Sequence, residues 1–479
     1  MVSWKRRIFL IVALITFCTV SITLVFYAMG YRYSIDNNEV RFVGLIDVET
    51  LPKSVRVYLN DTLITRSTPK QIKDLFPRIY TVRVEKDGHN TWQKNVFVES
   101  KKVTWIKNVR LFLSNPTIET LVPVKSESYT VFDDGKKILY TKNNEDSKGL
   151  FLYDVKDKKI THIFPGEKEF LSDKILIDEV TYTNTLYSND GKLSLLTLSE
   201  SSGNEHYVLV PTDKPESSKL ITNDALSPTS TSHITLDPKN TNHIYFISEN
   251  TLFLYDLEKE EITKINENSA TFTIHEGTLY VAEKSKEGKT TITRTQDSMF
   301  TFGESVETLT TLSAETVSSI VANGNGDMAV LDSKKNVYLY NAETKETKHI
   351  GSHINNLLFS KSGKKLLFYN DQEVYFYEIS EKELEQLKQP YSTNTTNLIT
   401  RYSKQITGAG FYADEEWVYV AFNDSLKLIE LDERDKRNTY QALTDFPLDP
   451  SIFFDKEGET LFMLNKDTKQ IQSEVIFEK

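Results

Sequence analysis

Apolar residues follow two different patterns along this chain of 479 residues. From Ile8 to Met29 they form one uncharged block, whereas the remainder shows short alternating runs separated by polar turns that contain glycine. At about 1.5 Å per residue, a helix over the block would cross the ~30 Å hydrocarbon layer of a bilayer. Alternation with a period of two is typical of β-strands. The pattern predicts a transmembrane helix over residues 8–29, followed by an all-β chain.

Basic residues set the expected direction of this helix. Lys5, Arg6 and Arg7 stand directly before it, and no basic cluster of that density follows closely. Because cytoplasmic flanks are enriched in Lys and Arg, residues 1–7 are expected to be a cytoplasmic tail. The rest of the chain then lies outside the cytoplasm, which predicts a single-pass protein of the cell membrane.

A cleaved secretory signal is the alternative interpretation of the same block. Such signals have a shorter apolar core and a small-x-small cleavage site. Phe26 occupies the place two residues before Ala28 where a small side chain would be needed. We therefore expect a retained anchor, with residues 30–43 as a linker.

Residues 44–114 show period-two runs that predict a small β-sandwich. Asp87 and Gly88 separate two such runs, and this dipeptide suits the positive φ angles of a tight hairpin. Alternation along residues 103–111 is expected to turn Val103, Trp105, Val109 and Leu111 to one face. Trp92 and Trp105 are interpreted as core residues, since strand tryptophans at hairpins usually pack inward.

A set of turn and core positions in this segment forms a recognisable motif: Thr68, Pro69, Pro77, Tyr80, Gly88 and Trp92. With this motif the segment resembles a PEGA domain, a small sandwich found in surface proteins of bacteria and archaea. The family usually has glycine after the proline that corresponds to Pro77 and an aromatic residue after the later glycine, where this chain has Arg78 and His89. The resemblance implies a location and an architecture, and no general activity.

A repeated unit fills residues 115–479. A first turn recurs as VFDDGKKILY, LYSNDGKLSLL, LFSKSGKKLLFY and FFDKEGETLFML, and a later strand and turn recur as LFLYDVKDKKITHI, LFLYDLEKEEITKI, VYLYNAETKETKHI and VYFYEISEKELEQL. Units of about 40–50 residues with four short strands are typical of propeller blades. The first turn resembles that of TolB-like and tricorn-like, that is WD-repeat-like, propellers. The resemblance implies the fold and leaves the activity open.

First strands are expected near eight positions, which predicts eight blades, with seven as the alternative because residues 171–187 divide in two ways. The last unit, residues 451–477, shows three strands, and residues 118–124 are expected to supply its fourth. Residues 227–232 and 391–404, rich in Ser, Thr and Asn, are interpreted as loops. The eight positions are Val131, Leu186, Ile234, Phe272, Ile320, Leu357, Phe411 and Ile452.

Charge narrows the classes of partner. The part of the chain after residue 30 carries a formal charge of −14, which argues against nucleic acid and against anionic lipid as its partners. The one cysteine, Cys18, lies within the apolar block, so the external part has no disulfide and no thiolate metal site.

No catalytic, cofactor-binding or metal-binding residues are predicted. A Gly-x-Ser-x-Gly nucleophile turn is absent, and His349 and His353 are separated by a turn-forming glycine. Asp133 and Asp134 precede Gly135 in what we interpret as a β-turn rather than a calcium loop. Acidic clusters at residues 258–261 and 414–416 are interpreted as solvated turns.

The leading functional hypothesis is a non-enzymatic cell-envelope protein. The helix would anchor it in the membrane, and propeller loops would bind envelope proteins or cell-wall glycan. The alternative is a propeller hydrolase or lyase with its site at the central channel.

Overall fold

The structure is a computed structural model that describes residues 4–34, 39–144, 147–164, 170–172, 175–176, 180–188, 190–221, 226–227, 229–284, 288–296, 306–379 and 391–479. The described chain divides into two compact units. Unit 1 comprises residues 1–116, 432–440 and 477–479, and unit 2 comprises residues 117–431 and 441–476. The domain bounds expected from the sequence stay a prediction.

One helix, α1 (Trp4–Ala28), begins unit 1. Its segment Arg6–Ala28 is long and apolar enough to cross a membrane, and none of it is buried by the protein. Thr16, Thr19 and Thr23 each donate a side-chain hydrogen bond to the carbonyl four residues earlier, at 2.8–2.9 Å. These bonds satisfy the hydroxyl groups of the three threonines within the helix itself.

A short antiparallel hairpin occupies the stretch that the sequence suggested as a linker. Strands β1 (Tyr31–Ser34) and β2 (Glu39–Phe42) pair with Tyr31 opposite Phe42. The Val43 amide donates to the Gly30 carbonyl at 3.1 Å, so the chain returns to the end of the helix before the sandwich begins.

Seven strands form the sandwich of unit 1. One sheet has the order β6-β3-β9, with β9 parallel to β3, and the other has the order β5-β4-β7-β8. Val57, Val82 and Trp92 are among the fully buried residues between them. The strands are β3 (Gly44–Leu51), β4 (Arg56–Leu59), β5 (Thr62–Thr65), β6 (Lys70–Leu75), β7 (Ile79–Glu85), β8 (Trp92–Phe97) and β9 (Val103–Arg110).

A bulge in β9 overturns the expected face of Trp105. The register to β3 shifts between Ile106 and Val109, and Asn108 adopts φ 57°. Because one extra residue reverses the alternation, Ile106 and Val109 are buried, whereas Trp105 is only partly buried and Val103 is exposed. The prediction that Trp92 packs in the core is confirmed, and that for Trp105 is wrong.

A fully buried lysine lies on the edge strand β8 of unit 1. Lys94 Nζ donates to the carbonyls of Asp432, Arg434 and Lys436 at 2.7, 3.1 and 3.0 Å. The Asp432 carboxylate lies 3.7 Å away. Three carbonyl dipoles and one carboxylate thus replace the water that an ammonium group loses on burial.

Unit 2 contains eight four-stranded sheets among the described residues. In the first six, the four strands follow one another in chain order. Strand β10 (Ile118–Val122) precedes these sheets and belongs to the eighth sheet, and β15 (Phe170–Ser172) and β16 (Ile175–Leu176) form a separate two-stranded sheet. The strands of the six sheets are β11 (Ser128–Phe132), β12 (Lys137–Asn144), β13 (Ser147–Asp154), β14 (Lys159–Phe164); β17 (Val180–Tyr187), β18 (Leu193–Glu200), β19 (Glu205–Pro211), β20 (Lys219–Ile221); β21 (Thr231–Leu236), β22 (His243–Ser248), β23 (Thr251–Asp256), β24 (Glu261–Asn266); β25 (Ser269–His275), β26 (Thr278–Lys284), β27 (Thr290–Gln296), β28 (Val306–Leu312); β29 (Val317–Ala322), β30 (Met328–Asp332), β31 (Val337–Tyr340), β32 (Thr347–Gly351); and β33 (Asn356–Phe359), β34 (Lys365–Tyr369), β35 (Glu373–Glu378), β36 (Thr396–Arg401).

The eighth sheet joins the first strand of unit 2 to its last strands. Its order is β10-β43-β42-β41, with Ile118 opposite Glu474. This pairing confirms that residues 118–122 supply the fourth strand of the final unit. The remaining strands are β37 (Gly408–Phe411), β38 (Trp417–Phe422), β39 (Ser425–Glu430), β40 (Thr439–Leu443), β41 (Leu448–Phe454), β42 (Thr460–Asn465) and β43 (Ile471–Val475).

Unit 2 therefore has the predicted β-propeller architecture, in which successive antiparallel sheets of four strands pack on each other. Apolar clusters span neighbouring sheets, as where Leu139 of β12 packs with Tyr182 of β17. The number of blades stays a prediction. Two predicted loops are partly strands, because β21 begins at Thr231 and β36 spans Thr396–Arg401; residue 228 lies outside the described part.

Polar residues at fixed places in the repeat shape its turns. A carboxylate or amide oxygen accepts a backbone N–H two residues later, which favours the turn over continued strand. Asp237 does so in the first turn of its sheet and Asp256 in the third, at 2.8 and 3.0 Å. Equivalent bonds are made by Asp190, Asn323, Asn341, Asp414 and Asn465.

Candidate functional site

A cleft of about 440 Å³ lies in unit 2 between the sheets β17–β20 and β21–β24. This volume falls within the usual range for binding sites of small molecules and side chains. Its walls are the start of β18, the end of β19 and the start of β20, together with the turn before β22 and the turn after β23. We refer to it as the cleft. Its lining residues are Lys192, Leu193, Leu209, Pro211, Asp213, Lys214, Ser217, Lys219, Thr241, Asn242, Leu257 and Glu258.

The floor of the cleft is apolar and closely packed. Leu193 and Leu209 are each 5% exposed and pack with Leu257 in a cluster that joins the two sheets. Backbone hydrogen bonds hold both sides: the Thr212 amide donates to the Lys192 carbonyl at 2.8 Å, and the Leu257 amide donates to the Asn242 carbonyl at 2.8 Å. A side chain entering the cleft would meet a preformed apolar surface.

Charged side chains surround this floor. Lys219 Nζ lies 2.6 Å from Glu260 Oε1, and the shared hydrogen bond raises the pKa of Lys219 and lowers that of Glu260. Lys192 pairs with Asp190 at 3.4 Å. Within the described part of the chain, Lys214 has no carboxylate partner within 4.0 Å. All three lysines are largely exposed, so their charges remain available to a ligand.

His243 lies beside the cleft, next to Asn242, and the sequence had not singled it out. The ring nitrogens lie 3.8 Å from Asp237 and 4.0 Å from Asp256, beyond hydrogen-bond distance. Both carboxylates already accept backbone amides of their turns. We interpret this buried group as a structural part of the two turns. The pairing of β22 with β21 and with β23 inside one sheet brings these residues together.

The acidic cluster at residues 414–416 is more than a solvated turn. Glu416 accepts a hydrogen bond from the buried Lys365 Nζ at 2.9 Å, and the Glu415 carbonyl accepts a second at 2.8 Å. The Glu415 carboxylate also accepts from the Ser362 amide at 2.6 Å. Burial raises the pKa of Glu416, while Lys365 opposes this rise. The cluster therefore joins two neighbouring sheets.

The turn at residues 133–135 has the geometry that the sequence suggested. Asp133, Asp134 and Gly135 have φ angles of 50°, 55° and 81°. Asp134 accepts the amide of Lys456 at 2.8 Å and so connects two sheets. Among the residues that the structure describes, no group of three or more His, Cys, Asp or Glu is arranged to hold a metal ion.

The motif residues of the sandwich have structural positions. Tyr80 is buried and donates to the Phe76 carbonyl at 3.1 Å, while Thr68 is buried and shares a 2.7 Å hydrogen bond with Thr50. Gly88 has φ 75°, as the hairpin requires. Pro69 is exposed and Pro77 is partly buried. The topology residues Arg6 and Arg7 are exposed within α1, which also contains Lys5; their role stays a prediction.

Comparison with protein families agrees with this geometry. Residues 43–111 match the family model described as PEGA domain. This segment is similar to PEGA domains. The match covers the sandwich strands β3–β9 and ends before unit 2. A search of curated proteins gives no match.

Solved structures of propeller domains are similar to this chain at low sequence identity. The β-propeller domain of Cps50 (Swd1) from Myceliophteria thermophila is 12% identical, with 75% of this chain and 99% of that chain covered and a TM-score of 0.44. The C-terminal WD40 domain of Sif2 is 13% identical, with 76% and 99% covered and a TM-score of 0.48. An oligogalacturonate lyase in complex with manganese is 10% identical, with 74% and 99% covered and a TM-score of 0.42.

Proposed function

We propose that this chain is a non-enzymatic, membrane-anchored binding protein of the bacterial cell envelope. Helix α1 would hold it in the cell membrane with the N-terminus in the cytoplasm. Its propeller would bind a polypeptide segment of an envelope partner in the cleft. The observation that carries the proposal is the preformed cleft of about 440 Å³ on a chain that begins with an apolar helix.

The chemistry of the lining favours polypeptide over glycan. Sugar sites commonly use aromatic rings as stacking platforms, and none of the described residues that line the cleft is aromatic. Leu209 and Leu257 instead offer an apolar floor for one side chain, while Lys214 and Asp213 at the rim can pair with charges of either sign. An extended segment with one apolar anchor residue fits this arrangement.

Peptide selection tests this proposal. Random ten-residue peptides would be displayed and selected against the full chain in detergent, and affinities measured by fluorescence polarisation. We expect the selected peptides to share an apolar anchor, and Ser217→Trp to weaken them at least ten-fold by filling the cleft. Ser202→Trp, in the exposed turn between β18 and β19, is the matched control and should leave affinity unchanged.

Equal binding to Ser217→Trp and the unsubstituted chain would show that the cleft is not the site. Selection of no peptide, together with binding of soluble wall glycan, would support the glycan alternative instead. In intact cells, a photo-crosslinking residue at position 241 should form an adduct with a protein, and one at position 202 should not.

A further inference from the structure

Charge is divided unevenly along the chain after the helix. Residues 31–116 contain 15 Lys and Arg against nine Asp and Glu, a formal charge of +6, whereas residues 117–479 carry −20. The value of −14 for the whole external part concealed this division. The expectation that anionic lipid is a poor partner therefore does not extend to unit 1.

One end of the PEGA domain lies close to the end of α1. At this end β3 and β9 begin, β7 begins and β8 ends; we call it the helix-proximal end. The amide of Val43, which precedes β3, bonds to the carbonyl of Gly30 at 3.1 Å. Arg32 connects the two further, because it donates to the Tyr27 carbonyl at 2.8 Å and pairs with Asp74 of β6 at 2.8 Å.

Exposed apolar residues concentrate at this end. Ile79 of β7 and Phe97 of β8 are cross-strand partners, 66% and 57% exposed. Tyr33 and Val40 form a second cross-strand pair on the β1–β2 hairpin, 58% and 57% exposed. Two such pairs beside the end of an apolar helix indicate a surface that is covered in the working protein.

Cations exceed acids at the same end. Each nearby described acid has a basic partner: Glu39 pairs with Arg41 and Glu99 with Lys102, in addition to Asp74 with Arg32. Three exposed basic side chains at this end have no carboxylate partner among the described residues: Lys73, Arg78 and Lys101. Lys101 Nζ lies 3.3 Å from the centre of the Phe42 ring, and the Arg78 guanidinium 4.8 Å from that of Tyr80.

We propose that the helix-proximal end of the PEGA domain rests on the anionic surface of the bilayer that α1 crosses. Ile79, Phe97, Tyr33 and Val40 enter the headgroup region, and Lys73, Arg78 and Lys101 contact lipid phosphates. The combination of apolar and basic side chains is that of interfacial membrane anchors. This inference rests on the membrane anchoring in the proposed function.

Fluorescence quenching tests it on the full chain in nanodiscs that contain phosphatidylglycerol and nitroxide-labelled lipid. A Cys18→Ser background would carry a fluorophore on Phe97→Cys or on Thr91→Cys, which lies about 20 Å away at the other end of β8. We expect at least two-fold stronger quenching at position 97 than at position 91. A fluorophore on native Cys18 should be quenched strongly.

Equal, weak quenching at positions 97 and 91 with strong quenching at Cys18 would overturn the inference and leave the anchor intact. Weak quenching at Cys18 would overturn both this inference and the proposed membrane anchor. As a second measurement, replacing Lys73, Arg78 and Lys101 by Glu should lower the equilibrium constant for the lipid-contacting state at least roughly five-fold per cation, and leave quenching at Cys18 unchanged. Unchanged quenching at position 97 in this variant would contradict the electrostatic part.

Discussion

Residues 31–116 carry a formal charge of +6 and residues 117–479 carry −20, and the two units bury their lysines in different ways. In unit 1, Lys94 is held mainly by three backbone carbonyls. In unit 2, Lys365 pairs with the Glu416 carboxylate at 2.9 Å. The difference shows that a buried ammonium group can be satisfied mainly by peptide dipoles or by a carboxylate.

The largest expected effect comes from removing the lysine of unit 1. Lys94→Ala leaves three backbone carbonyls, at one buried and two partly buried positions, without their donor, and we expect a loss of about 3–5 kcal/mol in unfolding free energy. Thermal unfolding and hydrogen exchange of β8 and residues 432–436 would measure it. Lys107→Ala, on the exposed side of β9, is the control and should change little; equal effects would show that the carbonyl contacts contribute nothing specific.

A smaller loss is expected in unit 2. Lys365→Ala leaves Glu416 half-buried without its cation, which raises the pKa of that carboxyl further and costs about 2–3 kcal/mol. Part of the cost is recovered because water can reach Glu416, which keeps 29% exposure. Denaturant unfolding would check this against Lys364→Ala. A double variant with Glu416→Gln should restore stability, and failure to do so would contradict the pairing.

A buried carboxylate gives unit 2 a pH dependence. Glu474 of β43 is 4% exposed, its Oε2 accepts no hydrogen bond from the described residues, and burial raises its pKa to about 7. Since the folded state holds this proton more tightly than the unfolded state, stability should fall as pH rises from about 4.5 to 7. Glu474→Gln should remove about 2–3 kcal/mol of this loss at pH 8.

Melting curves from pH 5 to pH 8 would measure this, with Asp467→Asn in the turn of the same sheet as the control. If Glu474→Gln melts with the same pH dependence as the unsubstituted chain, another group is responsible.

The smallest effect is expected at the exposed ion pair beside the cleft. Glu260→Gln removes the partner of Lys219, but both side chains are more than half exposed, so solvent screens their attraction. The melting temperature should therefore stay unchanged within error. A clear decrease would mean that this pair stabilises the contact between the two sheets, and that Lys219 is less available to a ligand than its exposure suggests.

Much of the fold follows from local pattern. The eight predicted first-strand positions fall in the eight four-stranded sheets, because period-two alternation and Gly-containing turns act within short stretches. Trp105 could not be placed correctly, since the bulge at Asn108 depends on the pairing of β9 with β3. The strand Thr396–Arg401 was missed because its Thr and Asn residues, like those just before it, are typical of loops.

The candidate cleft was beyond sequence reasoning for a different reason. Lys192, Ser217 and Asn242 belong to two different repeats, and nothing in either repeat marks them. Cavities between sheets depend on how side chains of neighbouring sheets fill space, which periodicity does not record. The charge division between the two parts was readable from the sequence, and only summing over all residues after residue 30 concealed it.

The pairing of β10 with β43 has a consequence for biogenesis. Ile118 leaves the ribosome long before its partner Glu474, so the first strand of unit 2 must wait, unpaired, while about 350 residues follow. Until then its backbone edge is open to wrong partners, including the same strand of another nascent chain. Assembly of this protein should therefore depend on chaperones that shield one specific strand, and shortening the chain by its last strand should leave that edge permanently exposed.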